Sequence, residues 1–221
     1  MTSRPHSSTR GTPPGSWGAD VPGLRASLLV LAATAALSAC APHTAANAQA
    51  SGYGPAPDFT LPNVAGGDFT LGAQRGSVVV LSFTAANCTE ECPVLEAVLQ
   101  RAARAWKAQG ILARRVTIAT VEIDPKTNGA AAVAKLRAKW WPQPGWAFLR
   151  SDAAATAPVL KAYNILVLPP PKGHADVEHT VEVYVIDPHG NESDILAPGA
   201  NLSVPALERA VKRAYTPSGK A

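Results

Sequence analysis

The chain predicts an α/β sandwich, with a central mixed sheet flanked by helices, from three observations. Val78 to Thr84 is a continuous apolar run, as expected of a central strand buried on both faces. After Pro93, residues Leu95, Val98, Leu99, Ala102 and Trp106 fall on one helical stripe. Val116 to Asp124 is a second buried run, ending at Asp124-Pro125. With 221 residues, 47% of them hydrophobic and 16% charged, the chain can build one real core and still carry a tail.

The remaining elements follow in order. DFTLPNVAGGDFTL, from Asp58, alternates apolar and polar residues around Ala-Gly-Gly and predicts an added N-terminal β-hairpin. Residues 129–140 and 152–163 read as helices, with a short strand Trp146–Leu149 between them. A loop containing Pro169, Pro170 and Pro171 leads to a strand from His179 to Ile186. The turn Asp187-Pro188-His189-Gly190-Asn191 leads to a last short strand, and residues 204–215 close the fold as a helix. Strands alternating with helices, then a hairpin and a terminal helix, match a thioredoxin-like sandwich. There is no internal repeat and no second domain.

The N-terminus carries an address. Residues 26–39, ASLLVLAATAALSA, form an apolar run after Arg25, short for a membrane span of about 20 residues but suited to a signal-peptide core. Leu37-Ser38-Ala39-Cys40 resembles a bacterial lipobox, so residues 1–40 are expected to be a lipoprotein signal with Cys40 lipidated. Residues 41–57 then read as a flexible tether, 58–216 as the folded domain and 217–221 as a tail. Export to an oxidising compartment at the bacterial cell membrane is implied. Of the formal charge of +4, Arg4, Arg10 and Arg25 against Asp20 supply half. The domain has no basic stripe, which argues against nucleic-acid binding.

Cys88 and Cys92 are the chemical centre of the sequence. They lie where the first buried strand hands over to a helix. On a first helical turn, four-residue spacing would set both thiols on one face, and the helix N-terminus would favour thiolate. Two neighbouring thiolates can hold a soft metal ion or cycle as a dithiol/disulfide couple. A structural disulfide is the plainer alternative, although so small a loop constrains the unfolded chain little.

The order VVVLSFTAANCTEECP, VEIDP, LKAYNI and VEHTVEVYVIDPHG resembles the SCO/SenC proteins over roughly residues 57 to 215. These are membrane-anchored, copper-binding thioredoxin-fold proteins that help assemble cytochrome c oxidase. The resemblance implies a copper site made by Cys88, Cys92 and His179, with Asp124 as an outer contact. It implies a copper cofactor, Cu(I) or Cu(II), and a partner that is the oxidase subunit carrying the copper site or another copper protein. The donor chemistry agrees: thiolates select soft Cu(I), and an added imidazole also accepts Cu(II). A three-ligand zinc site would keep a water position, and no Glu or Asp motif beside it suggests hydrolysis. A methionine-rich copper carrier is excluded, since Met1 is the chain's single methionine.

The chain departs from the family pattern at Thr89, where proline is usual, and at Glu90 and Glu91. The family's DPxRDTP-like segment is reduced to Asp124-Pro125-Lys126-Thr127-Asn128-Gly129. The main alternative activity is a thiol-disulfide oxidoreductase in which Cys88 and Cys92 are the catalytic dithiol. Such enzymes normally use CxxC and a cis-proline before the strand that here begins Glu178-His179-Thr180. A ligand in place of a substrate-docking proline favours metal. His174 is a backup ligand, His189 sits in a remote turn and His43 in the tether. Trp140, Trp141 and Trp146 are assigned to packing.

Overall fold

The computed structural model describes residues 53–88, 91–140, 144–170, 172 and 177–216. All belong to one compact unit, Ala46–Ala221. The signal segment with Cys40, the tether up to residue 52, Thr89, Glu90, Trp141, His174 and the 217–221 tail lie outside the described residues.

In chain order the elements are β1 (Gly54–Pro55), β2 (Thr60–Pro62), β3 (Asp68–Thr70), β4 (Val78–Thr84), α1 (Glu91–Ala108), β5 (Val116–Glu122) and α2 (Ala130–Trp140). There follow β6 (Trp146–Leu149), α3 (Ala153–Ala162), β7 (Val167–Leu168), β8 (Glu178–His179), β9 (Val183–Ile186), β10 (Asn191–Leu196) and α4 (Val204–Tyr215). Six strands form the main sheet in the order β1-β10-β9-β4-β5-β6. β4 runs parallel to β5 in register Val78↔Val116 to Thr84↔Glu122, and β5 runs parallel to β6. β9 joins the other edge of β4 antiparallel, followed by β10 and β1. This is the mixed thioredoxin-like sheet that the apolar runs predict.

Strand alternation divides the core in two. Val78 and Val80 of β4, with Ile118, Phe148 and Val185, face Leu95, Leu99 and Trp106 of α1 and Leu207 and Val211 of α4. Val79, Leu81 and Phe83 face the other way, onto Val159 and Tyr163 near α3 and onto Phe59, Leu61 and Phe69 of the hairpin. Each large side chain buried this completely contributes roughly 1.5–3 kcal/mol. The β2–β3 hairpin is closed by Asn63 N–H donating to Gly67 O at 2.9 Å. Gly66 and Gly67 take φ of 106° and 73° there, which is why the turn carries two glycines.

Two expectations are corrected. The tether does not run free to residue 57: Gly54 and Pro55 pair with Glu192 and Asn191, and Pro57 O accepts from Tyr163 Oη at 2.8 Å. The strand expected from His179 to Ile186 is broken. Thr180 N–H donates to Leu166 O at 3.0 Å and Thr180 Oγ1 accepts from Leu166 N at 3.1 Å. These bonds hold β8 against β7 in a separate two-stranded sheet, and the chain joins the main sheet only at Val183.

The helical stripe of α1 hides a carboxyl group. Glu96 is fully buried, one turn after Cys92, and neither carboxyl oxygen has a hydrogen-bond partner. Burial raises its pKa from 4.5 to about 8. The folded chain therefore keeps a proton that the unfolded chain releases, so stability falls as pH rises from about 4.5 to about 8. Replacing Glu96 by Leu should flatten that decline by on the order of 4 kcal/mol. Glu122, shifted in the same direction, stays in the variant and keeps part of the slope. Urea unfolding of wild type and Glu96→Leu at mildly acidic and mildly alkaline pH measures this. Parallel pH profiles would contradict it.

Candidate metal centre

The site forms where β4 ends. Past Thr84 the chain turns at Ala86 and Asn87, and Cys88 N–H donates to Ala85 O at 3.0 Å. Cys88 itself is in neither a helix nor a strand, and Cys92 lies in α1, described from Glu91. Cys88 follows the turn at Ala86 and Asn87, and its sulfur meets that of Cys92. Cys92 is buried and Cys88 half-buried. The two are joined as a disulfide, with Cα atoms 5.9 Å apart.

His179 reaches the same place from β8. Its Nε2 lies 3.3 Å from Cys92 Sγ, and its Nδ1 lies 2.8 Å from Thr180 O. A carbonyl only accepts, so Nδ1 is the donor in that bond, and the neutral ring has its lone pair on Nε2, facing the sulfur. The break between β8 and β9 is thus what aims the ring: paired in the main sheet, His179 would follow β9 instead.

The three ligand atoms of Cys88, Cys92 and His179 lie within 4.8 Å of one another. Metal–sulfur and metal–nitrogen bonds of about 2.0–2.3 Å place opposed ligands roughly 4.5 Å apart. The cluster is therefore of the right size for one ion once the sulfurs are reduced. Its donors, two soft and one borderline, fit copper better than a hard cation. No other group of three or more His, Cys, Asp and Glu ligands converges in this way among the described residues. A cleft of about 500 Å³ lies beside the pair, lined by Asn87, Cys88, Cys92, Lys135, Leu136 and Lys139.

Asp124 stands in the turn after β5. Its Oδ1 accepts from Thr127 N at 3.3 Å, within its own turn, and its N–H donates to Glu122 Oε1 at 3.0 Å. It thus reaches the Cys loop through Glu122, a residue the sequence does not single out. Glu122 Oε2 accepts Ala86 N–H at 3.0 Å, and Oε1 accepts Asn128 Nδ2 at 3.0 Å. Burial raises the Glu122 pKa to about 7, against the opposing pull of those donors. A charged residue ending a strand that is otherwise free of charge, VTIATVE, is the one sequence signal for it. His189 is exposed in the turn after β9, at the opposite end of that strand from His179.

No curated protein matches the chain. Among solved structures, the fold is similar to Bradyrhizobium japonicum ScoI with copper bound, at 20% identity and TM-score 0.61, covering 73% of this chain and 99% of that one. A SCO1/SenC family lipoprotein from Bacillus anthracis is similar at 22% identity and TM-score 0.62, covering 73% and 95%. So is BsSco, a member of the Sco family of cytochrome c oxidase assembly proteins with a disulfide switch, at 24% identity and TM-score 0.60, covering 73% and 94%. The family model described as SCO1/SenC matches residues 47–214, spanning both cysteines, His179 and every strand of the main sheet; the chain belongs to the SCO1/SenC family.

Proposed function

We propose that this chain is an extracytoplasmic copper chaperone, anchored to the bacterial membrane by a lipid on Cys40. It binds Cu(I) or Cu(II) through Cys88, Cys92 and His179, with Asp124 as an outer contact. It helps assemble the copper centre of cytochrome c oxidase, handing copper to the subunit that carries that site or to another copper protein. The observation that carries the reading is the convergence of an imidazole Nε2 onto the cysteine pair, 3.3 Å from Cys92 Sγ. Two thiolates suit Cu(I), and the imidazole extends the set to Cu(II), as a carrier that must load and release requires. The lipid anchor rests on Leu37-Ser38-Ala39-Cys40; among the described residues no helix is long and apolar enough to cross a membrane.

A second reading is favoured by the Cys88–Cys92 disulfide itself. In the reduced chain the half-buried Cys88 thiolate attacks a client disulfide and releases one client thiolate; buried Cys92 then displaces the other from the mixed disulfide, closing the Cys88–Cys92 bond and leaving the client reduced, which makes the chain a thiol-disulfide oxidoreductase. The two readings share sulfurs but differ in their use of His179.

Three measurements test these readings. In the copper reading, the reduced full chain takes up one Cu(I) per molecule and the oxidised chain essentially none, because a disulfide removes both thiolates from coordination. Equal loading of both forms, followed by copper analysis after desalting, would sink the site. Changing His179 to Ala should lower Cu(II) affinity by about 100-fold or more and Cu(I) affinity by about tenfold or less. Paired competition titrations read this; unchanged Cu(II) binding in a folded variant leaves the oxidoreductase as the better account. For the anchor, mass spectrometry of membrane-extracted protein should find an N-terminus at Cys40 carrying acyl chains. An unmodified N-terminus downstream of Cys40 would refute it.

A further inference from the structure

The parallel ladder between β4 and β5 ends with Ile123 N–H donating to Thr84 O at 3.0 Å. Beyond it the N–H groups of Ala86 and Asp124 have no ladder partner to meet. Both are taken by one side chain: Glu122 Oε2 accepts from Ala86 at 3.0 Å and Oε1 from Asp124 at 3.0 Å. Glu122 is 2% exposed, so no solvent competes for those oxygens.

Asn128 extends the brace. Its Nδ2 donates to Glu122 Oε1 at 3.0 Å and to Asn87 Oδ1 at 3.1 Å. Asn87 is the residue before Cys88. Asn128 is held in turn from the end of β6, where Arg150 Nε and Nη2 donate to its carbonyl at 3.1 and 3.0 Å. Arg150 Nη2 also donates to Pro125 O at 3.3 Å, clamping the turn as a whole.

We propose that Glu122, held by Asn128 and Arg150, is a positioning residue that fixes the loop carrying Cys88 and so sets the dithiol equilibrium and the metal affinity of the site. It acts through Ala86 and Asn87, the two residues immediately before Cys88, and not by touching a sulfur. A carboxylate is required because both oxygens must accept. Glutamine accepts through one oxygen, leaving either Ala86 N–H or the Asp124 and Asn128 donors unmet. The metal-affinity half rests on the copper reading above; the dithiol half does not.

The test uses two variants of the full chain, Glu122→Gln and Arg150→Ala, and two readouts. The first is equilibrium with glutathione: the Cys88–Cys92 bond breaks, the bond of oxidised glutathione forms, and two protons pass from glutathione thiols to the cysteines. Freeing the loop lowers the chance that Cys88 meets Cys92, so the equilibrium should shift toward dithiol by about threefold or more. The second is Cu(I) affinity of the reduced chain, which should fall by about tenfold or more. The double variant should show less than the sum of both effects, since both act on one turn.

Circular dichroism selects folded variants, and Arg150→Ala keeps the test alive if Glu122→Gln does not fold, because it leaves the buried carboxylate in place. Folded variants with a wild-type glutathione equilibrium overturn the proposal. A shifted equilibrium in a chain whose wild type takes up no Cu(I) supports the brace and removes the copper reading instead.

Discussion

Everything at the site hangs on the pairing of β4 with β5. Seven residues of each strand pair in register and are almost wholly buried, so neither strand can slip without moving its apolar side chains to the wrong face. This parallel pair also ends together, at Thr84 and Glu122, and the chain leaves the sheet at both points. Ligand sites form at such carboxyl ends because the backbone there has run out of ladder partners. In this chain one buried carboxylate meets the donors from both ends. Burial raises its pKa to about 7 even though the donors aimed at it pull the other way. A neutral side chain in its place would leave the Cys88 loop unheld.

Much of the fold is legible in the sequence, for physical reasons. Continuous apolar runs have no competing reading at the length of β4, and Trp146–Leu149 and 204–215 appear with the expected bounds. A strong apolar stripe and a Ser203 cap, accepting from Ala206 N at 3.3 Å, mark the last helix. What escapes depends on partners distant in sequence. Gly54 and Pro55 carry no strand signal of their own; β10 recruits them. The break after His179 lies in a run rich in β-forming residues and is dictated by Leu166, fourteen residues earlier.

The site is legible in its ligands and opaque in its supports. Cys88, Cys92 and His179 are scarce residue types in a recognisable order, and the fold gathers them. Glu122, Asn128 and Arg150 are common types whose role exists only after three strand ends meet. Glu96 escapes for the opposite reason. Its spacing places it squarely in the buried arc with Cys92 and Leu99, but a charged residue reads as solvent-facing until its surroundings are seen. Nothing in the structure explains its retention by a hydrogen bond.

Both proposed readings draw on the same sulfurs, yet the structure does not hold Cys88, Cys92 and His179 alike. His179 is already oriented while the sulfurs are bonded to each other, because Thr180 O holds Nδ1 and β7 holds the strand. Cys92 is fixed by its place on the first turn of α1, inside the core. Of the three, Cys88 alone lies outside a helix or strand. Its loop is tethered by Ala86 and Asn87 to the ends of β5 and β6, so its sulfur stays beside its two partners. A dithiol and a three-ligand site can then be two states of one frame, which is the arrangement that lets reduction and loading be coupled steps.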